Sequence, residues 1–372
     1  MDAVIDMSDA PVEVDVRADG AGGPPEDAER GRRASERFRA FRVSPWWLLV
    51  VAPWSWFLIR GLHPWFELLA ILLPLLLVGA ALLMLLLSAY FRNAVLLVVA
   101  ASLALLFGVA VVLPGRPITS AAPTEPTRFG SINLAQQWFT DNEVGFFVFD
   151  REPDVFVGVE LREPHDNELR EQYEYAVSDL AGFPPNPATN EEVELRGTYR
   201  QNDFPSVGVY SDHELVRLDD PIADRIEGGL PGFRVQVSTD NGNIVVYALH
   251  VPRLGSGSGI YEVDPSTQDE MLDAIANSIE AEELPVVVLG DLNIVDRGAA
   301  FNEFSDGLTD VMRVDRWAGP TRGQDVLYSL LRLRIDHILM SERLCAENAR
   351  ASQVFFSDHA TIQADIGPCR AT

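Results

Sequence analysis

Asp291 and Asn293 stand two residues apart at the end of the apolar run Val286 to Asn293, VVVLGDLN. Alternation along an extended chain puts both side chains on one side. There, a carboxylate beside an amide can align a water and hydrogen-bond a phosphoryl oxygen. Taken alone, G-D-x-N also reads as an Asx-rich turn. A second segment, Arg334 to Leu339 (RIDHIL), carries Asp336 and His337 on what would be opposite faces of a strand. A third, FFSDHA from Phe355, sets Asp358 beside His359 just before a further apolar run. By itself such a pair is more often a surface turn than a catalytic pair.

The elements that must position these residues are short β-branched runs between turns. They cover 145–149, 155–159, 206–210, 233–238, 244–250, 286–289, 335–340 and 360–366, and they predict strands. Ser266 to Glu283 predicts a helix with Ser266 as N-cap. Roughly ten strands with a few helices between them predict two packed sheets covered by helices in one domain over residues 130–368. Residues 182–206, with Pro184, Pro185, Pro187 and Pro205, predict a long surface loop bordering the site.

Ahead of this domain, residues 43–59, 68–90 and 94–113 contain no charge, and roughly 20 apolar residues cross a bilayer as a helix. Three transmembrane helices within 43–114 are the expectation. The first is short and holds Pro45 and Pro53, with Trp46, Trp47, Trp54 and Trp56 suited to interfaces. The long polar stretch before it argues against a cleaved signal peptide. Arg30, Arg32, Arg33, Arg37, Arg39 and Arg42 predict a cytoplasmic N-terminus. Three crossings then predict a multi-pass cell-membrane protein with residues 115–372 outside the cytoplasm. Residues 1–42 read as a disordered cytosolic tail with a basic juxtamembrane end. Residues 115–129 read as a Pro-rich linker reaching at most ~50 Å.

The chain carries a formal charge of −26, and its 29 basic residues are all arginine. From residue 115 onward 44 acidic residues face 20 basic ones, a charge of −24. Such a domain repels polyanions at long range, which disfavours long nucleic acid as substrate. The two cysteines, Cys345 and Cys369, allow a disulfide outside the cytoplasm or two free thiols.

In order and wording, GDLN, RIDHIL and SDHA resemble the closing half of endonuclease/exonuclease/phosphatase domains. Residues 131–133 (SIN) resemble that family's opening strand with its asparagine. Residues 153–161 (PDVFVGVEL) resemble its strand ending in a metal-binding glutamate, here Glu160. Residues 204–212 (FPSVGVYSD) resemble its central strand, and 247–252 (YALHVP) its histidine strand. Two positions depart from the family's repair nucleases: Ala135, where some carry an acid, and His250, where some have tyrosine. The resemblance implies a four-layered α/β sandwich of two packed mixed sheets flanked by helices, and a hydrolase dependent on Mg2+ or Mn2+.

Roles follow from what phosphoester hydrolysis requires: charge neutralisation, an in-line water and a proton for the leaving oxygen. Glu160, with Asn133 and Asp358, supplies hard oxygen ligands suited to magnesium or manganese. Asp291 orients or deprotonates the water, and Asn293 and His250 donate to the phosphate. His359, held by Asp336, acts as acid/base or as a cation. His337 reads as structural, and His165 and His213 as solvated surface. The expected substrate is a lipid headgroup or a small phosphorylated molecule. A membrane-tethered extracytoplasmic nuclease is the alternative, and a non-catalytic membrane-bound sensing module the alternative of another class.

Overall fold

The structure, a computed structural model, describes residues 46–134, 153–179, 207–226, 229–255, 262–323, 331–354 and 356–370. The strand expected at 145–149 and the loop expected at 182–206 lie outside the described residues. The chain divides between Leu49 and Val50 into two compact units. Of the first, Trp46–Leu49 are described, opening a helix that ends at Val51. The second unit holds the long helices, the sheets and the site.

Three membrane-crossing helices were expected, and only two described helices are long and apolar enough to cross a bilayer, α1 (Phe66–Phe91) and α2 (Ala94–Phe107). The latter runs on through a π turn, Gly108–Val112, and a 3-10 turn, Leu113–Gly115. The earlier apolar segment breaks instead into Trp46–Val51, a 3-10 turn Ala52–Ser55 and Trp56–Ile59. Pro53, which has no N–H to donate, sits in that turn. Thirteen residues, Trp47–Ile59, make ~20 Å of helix at 1.5 Å per residue, short of the ~30 Å of a bilayer core. Trp54 Nε1 donates to Ser102 Oγ (2.9 Å), and that hydroxyl donates to Val50 O (2.8 Å), so the part of the segment from Val50 onward lies along α2. Arg92, left-handed at φ 47°, turns α1 into α2, and the Asn93 side chain caps α2 by accepting from Val95 N.

Two six-stranded sheets follow. The strands that build the site are β1 (Thr127–Asn133), β2 (Val155–Val159), β7 (Gly242–His250), β10 (Val286–Asp291), β12 (Asp336–Ser341) and β14 (Ala360–Pro368). The sheets also hold β3 (Tyr175–Asp179), β4 (Val207–Ser211), β5 (Leu215–Arg217), β6 (Gly232–Thr239), β11 (Leu308–Asp310) and β13 (Leu344–Gln353). The short pair β8 (Arg253–Leu254) and β9 (Glu262–Val263) stands apart. The sheet orders are β13-β14-β1-β2-β4-β3 and β11-β12-β10-β7-β6-β5. At the middle of each sheet one pair is parallel, β1 with β2 and β7 with β10. Their neighbours pair antiparallel, so both sheets are mixed.

Alternation divides each strand between two faces. Val155, Val157, Val159, Val246, Ala248, Val287, Leu289, Ile338 and Ile362 face the core between the sheets. The opposite face of the second sheet, with Val245, Tyr247, Val286 and Val288, packs against α4 (Pro265–Glu280) and α5 (Ala299–Phe304). That of the first sheet, with Ile132, Phe156 and Tyr210, packs against α3 (Glu163–Gln172) through Leu169. The four layers are those the family resemblance implies.

Two expectations shift in detail. The N-cap of α4 is Asp264, not Ser266: its carboxylate accepts from Ser266 N and Thr267 N, because Pro265 takes the first helical position. The Pro-rich segment 115–129 is a strap against the domain. Gly115 O accepts from Ala318 N, Ile118 N donates to Arg313 O, Thr124 N donates to Pro368 O, and β1 already begins at Thr127. Beside its end, Cys345 and Cys369 form a disulfide.

Candidate active site

The site lies where β1, β2, β7 and β10 end and where β12 and β14 begin. Asn133 ends β1 opposite Val159, and Glu160 follows at once on β2. His250 ends β7, Asp291 ends β10, and Asp291 stands in register with both His250 and Asp336. His359 immediately precedes β14. Six strand ends therefore deliver polar groups to one rim. Asn133, His250, Asp291 and Asp336 are in phase with the core-facing Phe129, Ala248, Leu289 and Ile338, and Glu160 and His359 lie just outside β2 and β14.

Two of these residues take backbone conformations uncommon for a side chain. Glu160 (φ 54°) and Asn293 (φ 50°) both sit in the left-handed region just past a strand end. Such outliers persist only where the surroundings over-determine them, and they gather at functional sites. Gly290 has φ 136°, and a Cβ there would lie 2.0 Å from Leu249 O, so β10 reaches the rim only with glycine at that position.

Asn133 Nδ2 donates to Asp291 Oδ2 at 2.9 Å and to Glu160 Oε1 at 3.2 Å. His250 Nε2 lies 3.6 Å from Glu160 Oε1 and 3.8 Å from Asp291 Oδ2. His359 Nδ1 meets both Asp336 oxygens at 2.9 and 3.0 Å, and its Nε2 points to Asp291 Oδ2 at 3.9 Å. Asn293 N donates to Asp291 Oδ1 (2.9 Å), and its side-chain amide donates to Val251 O (2.9 Å), joining the ends of β7 and β10. Asn133, His250, Asp291, Asp336 and His359 are buried, whereas the side chains of Glu160 and Asp358 are 21% and 34% exposed. A polar floor and a carboxylate rim result.

The electrostatics follow. Burial, then the charge of Asp336, push the Asp291 carboxyl up to about 7, against relief from His359 and Asn133. Burial raises Glu160 too, with its Asn133 hydrogen bond and His359 opposing. For His359 burial favours the neutral ring, but Asp336, by charge and hydrogen bond, and then Asp291 outweigh it and carry the imidazole up to about 9. His359 is therefore a cation at neutral pH.

The donor set suits a divalent ion at the Glu160 end. Asp291, Asp336 and His359 lie close enough to share an ion, with one ligand atom each within 4.8 Å of the others. The His359 imidazolium, however, already supplies positive charge there. Among the described residues, Glu160 meets the Asn133 amide and a more distant imidazole, and Asp358 Oδ1 is buried without a hydrogen-bond partner. Carboxylate and amide oxygens are hard ligands of the kind magnesium and manganese take.

All eight sequence candidates stand at this rim. Sequence reasoning missed their supports. Ser357 Oγ donates to Asn133 O (2.6 Å) and accepts from His359 N (3.0 Å). Thr321 Oγ1 accepts from Ile335 N and Asp336 N. Arg322 reaches Asp358 Oδ2 at 3.3 Å through Nε and Nη2. Of these three, only Ser357 lies inside one of the sequence motifs. His337 is structural as expected: it is fully buried, held down to about 3 by desolvation and Arg334, and in ring contact with Phe301. His165 is corrected, because it is buried on α3 rather than solvated.

A two-sheet α/β sandwich carrying acids, an asparagine and a His–Asp pair at one rim defines a class of phosphoester hydrolases. The sequence profile of the Endonuclease/Exonuclease/phosphatase family matches residues 132–359, and the chain belongs to that family. Among solved structures, it resembles an endonuclease/exonuclease/phosphatase from Beutenbergia cavernae DSM 12333, with 20% identity, TM-score 0.47, and 66% of this chain and 72% of that one covered. It also resembles the 3' phosphatase NExo from Neisseria, with 17% identity, TM-score 0.44 and coverage of 64% and 98%. Human Nocturnin's catalytic domain is similar at 14% identity, TM-score 0.44 and coverage of 66% and 96%. Among curated proteins there is no significant match.

Proposed function

We propose that this chain is a membrane-anchored, divalent-metal-dependent phosphodiesterase acting on lipid headgroups or small phosphorylated molecules. The observation that carries the chemistry is the geometry of His359, bonded through Nδ1 to Asp336 at 2.9 Å with Asp291 3.9 Å from its other nitrogen. Asp291 aligns the attacking water and takes its proton. His359 Nε2 faces the charge that develops on the phosphoryl group and returns a proton to the departing oxygen. His250 and the second N–H of Asn293 donate to non-bridging oxygens. Glu160, Asn133 and Asp358 would hold the ion, which would supply charge neutralisation on the phosphate and stabilisation of the leaving group.

The substrate class rests on two supports. A charge of −24 from residue 115 onward opposes binding of long polyanions. The first turns of α1 pack against the domain through Ala70 and Leu73, and the rest, Pro74–Phe91, makes ~27 Å of helix at 1.5 Å per residue, close to the ~30 Å of a bilayer core. The domain would then rest on the headgroups.

The side of the membrane turns on the Trp46–Ile59 segment. Two crossings would return the chain to its starting side, whereas three would not. We place the domain outside the cytoplasm, because the Cys345–Cys369 bridge persists in an oxidising compartment. A C-terminal tag protected from protease in intact cells would overturn this.

The test of function uses the purified full chain in detergent with bis-p-nitrophenyl phosphate, then sphingomyelin and phospholipid vesicles, inositol phosphates and plasmid DNA. The expected result is turnover that requires Mg2+ or Mn2+, favours the lipid or small substrates, and falls ~10²–10⁴-fold in His359→Ala. Metal-independent turnover, or activity unchanged in that variant, would sink the reading, and preference for plasmid would favour the nuclease alternative.

A further inference from the structure

Pro74 interrupts α1, and a proline in a helix leaves the carbonyl four residues earlier without its donor. That carbonyl belongs to Ala70, and it is taken from outside the helix: Arg297 Nε donates to Ala70 O at 2.7 Å. The same guanidinium donates through Nη2 to Ile71 O (3.2 Å) and Leu331 O (2.9 Å), and through Nη1 to Arg332 O (3.0 Å). Arg297 is 1% exposed, so each of these bonds forms away from competing water.

A second contact runs the opposite way. The short helix α5 begins after Gly298, which has no side chain to cap it. Glu67, in the first turn of α1, caps it instead: its Oε1 accepts from Ala299 N (2.7 Å) and Ala300 N (3.1 Å). A Cβ at Gly298 would lie 2.0 Å from the other Glu67 oxygen, so glycine at that position leaves room for the carboxylate. Around these polar contacts Val295, Leu331, Leu333 and Ile335 pack with Ala70, Leu73 and Leu106 in one apolar cluster.

The segments so held are those that carry the chemistry. Arg297 ends the loop that begins at Asp291, and Leu331 and Arg332 lie on the approach to Asp336. Leu292 N donates to Ile335 O (2.9 Å), stitching the two segments beside the rim. We propose that Arg297 is a positioning residue: through it α1 holds the Asp291 loop and the approach to Asp336 in register, which makes the apolar hairpin part of the catalytic apparatus as well as an anchor. The kinetic part of this rests on the phosphodiesterase reading, while the positional part does not.

The test uses the full chain in detergent, with amide hydrogen exchange as the activity-independent readout. Arg297→Gln is expected to raise exchange at least tenfold within 292–300 and 331–336, leaving β13 (Leu344–Gln353) and β14 unchanged. With bis-p-nitrophenyl phosphate, kcat should fall at least tenfold with KM within twofold, and Arg297→Lys should recover part of both effects. Pro74→Ala gives the sharper contrast. It returns a competing N–H to Ala70 O and should loosen 292–300 although α1 itself becomes a better helix; if Pro74 is incidental, 292–300 stays as in the wild type. Unchanged exchange in Arg297→Gln, a uniform rise over the whole domain, or local loosening with kcat intact would each overturn the proposal. An inactive wild type would overturn the phosphodiesterase reading, and exchange would still decide the coupling.

Discussion

Asp336 acts on His359 twice, as a hydrogen-bond acceptor that fixes which nitrogen is turned toward Asp291 and as a charge that favours the protonated ring. Asp336→Asn would keep the shape and lose the charge. The expected outcome is kcat lowered by ~10²-fold or more, with the alkaline limb of the pH–rate profile moved to lower pH. Linkage gives a second prediction, for the metal-free chain. Both Asp291 and His359 have folded values above their ordinary ones, about 7 against 3.8 and about 9 against 6.5. Each therefore contributes stability that is complete below its ordinary value and lost as pH rises through its folded value. Urea melts in EDTA should show stability declining by a few kcal/mol, on the order expected from such shifts. Asp291→Asn should flatten the decline between about pH 4 and 7, and His359→Gln that between about 6.5 and 9. A decline unchanged in both variants would refute the assignment. The eight rim residues were legible in the sequence because each sits in a motif at a strand end. Thr321 and Arg322 were not, because they act through contacts with residues far along the chain, which no local pattern records.

At the scale of elements, the central strands were legible because they are buried on both faces and read as unbroken apolar runs. β13 was not: LCAENARASQ is half polar, lies at a sheet edge, and carries a register shift between Glu347 and Arg350. Helix α3, EPHDNELREQ, was missed for a related reason, since its sequence holds a single large apolar residue, Leu169. The break at Pro53 shows the reverse error, in which composition suggested a span that backbone chemistry interrupts. Two substitutions test element-level arguments. Gly290→Ala meets both a positive φ and the Leu249 carbonyl, and should cost about 3 kcal/mol or more in denaturant melts. Asp264→Ala removes the cap of α4 and should cost about 1 kcal/mol while leaving kcat unchanged.

For the whole molecule, the bridge between Cys345 and Cys369 closes a loop of 24 residues that joins β13 to the chain end beyond β14. Its reduction should lower stability by about 3 kcal/mol on loop-entropy grounds, seen as a fall in Tm with dithiothreitol that a Cys345→Ala, Cys369→Ala double variant does not show. The strap from Gly115 to Thr124 has a different consequence. Pinned at Ala318, Arg313 and Pro368, it leaves no slack between hairpin and catalytic domain. An enzyme on a long tether samples a hemisphere of solution, whereas one without slack samples a plane. With the hairpin in a bilayer, encounters are set by lateral diffusion. The rate in vesicles should then follow the mole fraction of substrate among the lipids and stay constant when the vesicles are diluted.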